Sequence, residues 1–152
     1  MRGARGITRI PLRHDTHIAA GVASQVLDQG RIIVFCFSDV TVGAIDAAVD
    51  ALSDLMRRCD EANRPLHLLL DLTPPGVIVT PYARECAAAL ACSRPRLRGR
   101  VALLAPEGTP VAHQIERVLR SLAYHYRERR LFFDRDAALA WLRETLEPDL
   151  LQ

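Results

Sequence analysis

Between Arg64-Pro65 and Thr73-Pro74-Pro75 the chain reads Leu66-His67-Leu68-Leu69-Leu70-Asp71-Leu72. This run is short and almost uniformly apolar. That pattern marks a central strand of a parallel sheet, buried on both faces, because a half-exposed strand would alternate apolar and polar residues. A parallel strand needs a crossover to reach its neighbour, so helices are expected on either side of it in the sequence.

They are there. Upstream, Ile45, Val49, Leu52, Met56 and Cys59 form an apolar stripe at helical spacing, with Thr41 as a cap and Asn63-Arg64-Pro65 as the stop. Downstream, Thr80-Pro81 opens a helix to about Cys92, whose inner face (Ala83, Cys86, Ala87, Leu90, Ala91) is built of small residues and predicts close packing on the sheet. Gly99–Ala105 is a further apolar strand. Thr109-Pro110 opens a third helix with Val111, Ile115, Val118, Leu119 and Leu122 facing inward. Leu131–Phe133 reads as a short last strand. Asp134 caps a final helix carrying Ala138, Trp141, Leu142 and Leu146. Before all of this, His17–Leu27 and Arg31–Phe37 flank the turn Asp28-Gln29-Gly30 and predict an antiparallel hairpin. The expected class is α/β, a mostly parallel sheet with an N-terminal antiparallel hairpin, in the order β-β-α-β-α-β-α-β-α. Residues 1–14 read as a flexible arginine-rich arm and 15–152 as one domain.

The chain has 152 residues, 49% of them hydrophobic, which suits a single folded domain and excludes a disordered chain. No apolar run is long enough to span a bilayer. Arg2, Arg5, Arg9 and Arg13 are followed by no apolar stretch, so the start does not read as a secretory signal and a cytoplasmic protein is expected. Cys36, Cys59, Cys86 and Cys92 form no C-x-x-C pair and read as structural thiols of a reducing compartment. All twenty basic residues are arginine. The missing lysine excludes P-loop and Schiff-base chemistry.

Other sites are tested by their motifs. G-x-G-x-x-G and G-x-S-x-G are absent. A two-component receiver would need clustered acids after an early strand and a lysine after a late one, where this chain has Asp39 alone and no lysine. His113 and His125 are too far apart along a helix to share one ion, and His67 reads as a core histidine, so no metal or cofactor is expected. Arg94, Arg96, Arg98 and Arg100 alternate before one strand, and Arg127, Arg129 and Arg130 precede another. Either group could hold an anion. A net charge of +2, with Tyr124 and Tyr126 the only aromatic residues beside an arginine group, argues for solvated arginines and against nucleic acid.

The hairpin, the βα alternation, the small-residue second helix and the closing segment RRLFFDRDAALAWLRE (129–144) resemble the STAS domain, the fold of anti-sigma factor antagonists and their SpoIIAA-like bacterial relatives. The resemblance covers roughly residues 17–146. It implies a non-enzymatic domain of the bacterial cytoplasm that regulates a protein partner or pairs with a second copy. In antagonists of this family a serine at the start of the second helix is phosphorylated. The matching position here is Thr80, where Val79 replaces the family's Asp and Pro81-Tyr82 its Ser-Gly, so the switch motif is not retained. Thr80-Pro81 also reads as a plain helix cap, as does Thr109-Pro110.

Three functions stay open on the sequence. The first is protein interaction through Pro74, Pro75, Gly76, Val77, Ile78, Val79, Thr80 and Tyr82, a proline- and glycine-rich connection that leaves an apolar triplet to be buried or covered. The second is binding of a small apolar or lipid-like ligand between a helix and the sheet, as in the related Sec14-type sheets; it needs a roomy cavity, against which the small inner face of the second helix argues. The third is a hydrolase-like site using Asp71 with an arginine at the carboxyl end of its strand, where the carboxylate could equally tie down the proline loop.

Overall fold

A computed structural model of the chain describes residues 15–122 and 127–146. The arm expected over 1–14, and Tyr124, His125 and Tyr126, lie outside them. Six strands form one sheet in chain order: β1 (Asp15–Ala19), β2 (Val22–Leu27), β3 (Ile32–Phe37), β4 (Leu66–Asp71), β5 (Gly99–Leu104) and β6 (Arg127–Phe132). Strands β1 to β3 pair antiparallel, and β3 to β6 pair parallel. The crossovers are α1 (Val42–Glu61), α2 (Pro81–Cys92) and α3 (Pro110–Ser121), and α4 (Arg135–Arg143) closes the domain.

The α/β class and the mostly parallel sheet agree with the sequence reading. The strand count does not. The stretch His17–Leu27, expected as one strand, is two strands turned at Ala20-Gly21, so the order is β-β-β-α-β-α-β-α-β-α. Gly21 makes the turn possible: its φ is +92°, and a Cβ there would fall 2.4 Å from Cβ of Asp39. The last strand also begins earlier than expected, at Arg127, so the second arginine group lies within the sheet.

Strand β4 is the centre, between β3 and β5. Its odd-even alternation feeds two cores. Leu66 and Leu68 pack with Phe35, Phe37, Val101 and the α1 residues Leu52 and Met56. Leu69 faces the other way, with Ile32, Val34, Ala102 and the α4 residues Leu139 and Leu142. A third cluster places Val111, Ala112 and Ile115 of α3 against Ala105. Helices α1 to α3 therefore share one face of the sheet, and α4 covers the other.

Each helix begins where the sequence says. Thr41, Thr80, Thr109 and Asp134 accept from the backbone N–H groups of Ala44, Ala83, Ala112 and Ala137. Pairing of β4 with β5 rests on Gly99, which sits opposite Leu66 with φ +145°; a Cβ there would lie 1.9 Å from the Leu66 carbonyl oxygen. Gly99→Ala must therefore displace the central pair of strands, and urea unfolding should show a loss of at least about 2 kcal/mol. A near-neutral result would refute this close approach.

Candidate functional site

The small inner face of α2 does not produce the tight packing it predicts. Ala91 is the one buried residue of this helix, which lies mainly against α1. Side chains as short as Ala83, Cys86 and Ala87 cannot fill the space between helix and sheet. What remains is a cavity of about 180 Å³, walled by residues such as Met56 of α1, Cys86 and Leu90 of α2, Leu68 and Leu103 of the sheet, and Leu119 of α3. Among the described residues the charged groups on its wall are Arg84, Arg127 and Arg129, with no carboxylate beside them.

Arg127 explains why α2 is held where it is. It is 4% exposed, at the start of edge strand β6, on the face toward α2. One guanidinium nitrogen donates to the carbonyls of Arg94 (2.9 Å) and Leu97 (3.0 Å). The other donates to those of Leu90 (3.3 Å), Ala91 (3.1 Å) and Ser93 (3.0 Å). The last turn of a helix leaves its carbonyls without partners and carries partial negative charge, so a cation placed there meets both needs. Two positions on, along the same face, Arg129 donates to Arg127 O (3.2 Å) and Ala91 O (3.4 Å). Burial lowers the pKa of both guanidiniums, yet arginine stays charged. Among the described residues neither forms an ion pair with a carboxylate. The solvated run expected of Arg127, Arg129 and Arg130 holds for the exposed Arg130 alone. The visible signal was the alternation Arg127, Arg129, Leu131, which puts all three on one face.

The first arginine group does not converge. Arg94 pairs with Asp60 at 2.9 Å, while Arg96 and Arg98 are exposed. Arg100 lies inside β5, bonded to Glu128 and Glu144 (2.9 Å each) and to Trp141 O, with its guanidinium 4.6 Å from the Trp141 ring centroid. It is a structural tie between the sheet and α4.

The loop Pro74–Thr80 is divided. Val77 is buried, and Val79 packs against the α3 cluster while its N–H donates to Gln114 (3.0 Å). Ile78 and Tyr82 are exposed, as is Val42 at the start of α1, and the Tyr82 hydroxyl donates to Asp46. That bond raises the phenol pKa. Val77 and Val79 thus belong to the packing, and Ile78 with Tyr82 to the surface. Thr80 uses its oxygen as the α2 cap, 3.1 Å from Ala83 N. Asp71 accepts from the Thr73 N–H (2.9 Å) and hydroxyl (2.6 Å), with Arg135 at 3.7 Å, so the carboxylate ties down the start of the proline loop.

His67 is buried under α4, its Nε2 2.8 Å from the Thr145 hydroxyl. Burial first, then the charges of Arg100 and Arg31, holds its pKa below the ordinary value. Cys59 is also buried, which raises its thiol pKa. Among the described residues no three His, Cys, Asp or Glu side chains are placed to hold a metal ion, and no helix is long and apolar enough to cross a membrane. The chain matches no family model, no curated protein and no solved structure.

Two outcomes follow from these contacts. Arg127→Met would orphan the carbonyls at the end of α2 and should cost about 3 kcal/mol in urea unfolding, far more than an exposed arginine. His67 is neutral in the fold, while an unfolded histidine takes up a proton near pH 6.5. Stability should therefore be full above about pH 6.5 and decline as pH falls from there toward the lowered folded value. Thermal melts between about pH 7.5 and 5 should show this decline reduced in His67→Gln; an unchanged slope would count against it.

Proposed function

We propose that this chain is a STAS-like domain that acts by binding, without catalysis, and that it holds a small apolar molecule between α2, α3 and the sheet. The cavity of about 180 Å³ carries this reading. It exceeds the ~150 Å³ that suffices for benzene in an apolar cavity and falls short of the ~300 Å³ at which drug-sized pockets begin. The ligand is therefore compact, well below a whole phospholipid. The STAS-like part is supported by a sheet in which β3 to β6 follow chain order behind antiparallel strands.

The non-catalytic part is supported by how the candidate acid is used. Asp71 holds its own turn, and its arginine neighbour cannot exchange a proton at ordinary pH.

Filling the cavity tests the reading. Cys86→Leu adds bulk to the wall and should leave folding intact while lowering the affinity for a small apolar probe such as 1-octanol at least tenfold, followed by NMR shifts. Unchanged affinity in the folded variant would sink the cavity assignment.

A second reading, interaction with a protein partner or a second copy, is favoured by the exposed Val42, Ile78 and Tyr82 near the starts of α1 and α2. Its test uses Val42→Asp with Ile78→Asp and spares the buried Val77. Loss of a captured partner or of a dimer supports it. Retention of both refutes it. Thr80→Ala should lower stability by ~1 kcal/mol through loss of the cap, with the same partners retained.

A further inference from the structure

The cavity wall is apolar except for three arginines, and that asymmetry says something about the ligand. Both terminal nitrogens of Arg127 are engaged, with carbonyls at the end of α2 and in the loop that follows it. Arg129 makes two hydrogen bonds, one of them long at 3.4 Å, out of the five N–H groups a guanidinium offers. Arg84 is exposed on α2. The nearby negative charge is small. The end of α2 contributes about half an elementary charge, and Asp60, whose charge acts on Arg127, is already paired with Arg94. Two desolvated guanidiniums therefore stand beside an apolar space with no carboxylate on its wall among the described residues. Burying unneutralised charge is costly, and an arriving anion recovers part of that cost.

We infer that the ligand is an anion: a compact apolar body carrying one carboxylate, with the carboxylate on Arg129 and the body in the cavity. This rests on the cavity reading above and names the chemistry of its occupant. Arg129 supplies charge-assisted donors, Arg127 and Arg84 add positive potential, and the aliphatic wall selects the body by size. A guanidinium fits a carboxylate with two parallel hydrogen bonds, which a hydroxyl of the same chain length cannot match.

Titration with octanoate, 1-octanol and octylamine separates the possibilities, because the three share one apolar chain. Octanoate should bind at least tenfold more tightly than octanol, and octylamine more weakly than either. Arg129→Gln should lower octanoate affinity about tenfold or more and leave octanol unchanged, while Arg129→Lys should retain part of the preference. Equal binding of octanoate and octanol would overturn the anion assignment and leave the cavity reading standing. An octanoate preference that survives Arg129→Gln would overturn the role of Arg129. Failure of all three probes to bind would overturn both readings. Should Arg129→Gln not fold, the octanoate-to-octanol ratio of the unaltered chain and of Arg129→Lys still decides between the outcomes.

Discussion

The guanidinium of Arg127 is the constraint on which this fold most depends. A cation removed from water must find partners, and here it finds the carbonyls that the end of α2 and the following loop leave open. That requirement ties a helix to an edge strand at one end. It also sets a long, charged side chain where an aliphatic core residue would otherwise bring the helix down onto the sheet. With α2 pinned at its end and faced with alanine, the space beneath it stays unfilled.

The two faces of the sheet differ for the same reason. Under α4 the polar groups have counterparts: Arg100 meets Glu128 and Glu144 and stacks on Trp141, and the neutral His67 meets Thr145. Leu142 and Ala138 are fully buried there. Under α2 the arginines meet carbonyls in place of carboxylates, and the packing leaves a void. One face is closed and stabilising. The other keeps volume and charge in reserve, which is what a binding site needs.

Much of this was legible in particular residues. The run Leu66–Leu72 announced a strand buried on both faces, and the Thr-Pro pairs at 80 and 109 announced two helix starts. The failures are as instructive. In His17–Leu27 a single glycine flanked by Ala20 and Val22, with no proline, asparagine or aspartate beside it, gave only a weak turn signal. The turn at Gly21 shows in the fold through its positive φ and its approach to Asp39. Arg127 and Arg129 were read as a solvated run because charge runs usually are, and nothing nearby in sequence reveals the helix end that buries Arg127. The small face of α2 was read as close packing. Small side chains permit close approach, but they do not compel it.

The sequence by itself determined the four helices, their caps and the alternation of helix with parallel strand, because periodicity, proline and threonine act over a few residues and leave a local trace. It also determined that the cation everywhere is arginine, which no fold could change. Only the tertiary structure decided how far α2 stands from the sheet, which arginines are neutralised and where an apolar space survives. Those depend on contacts between residues thirty or more positions apart, such as Arg127 with Leu97 and with Ala91. A cavity is a difference between distant positions, and no short stretch of sequence contains it.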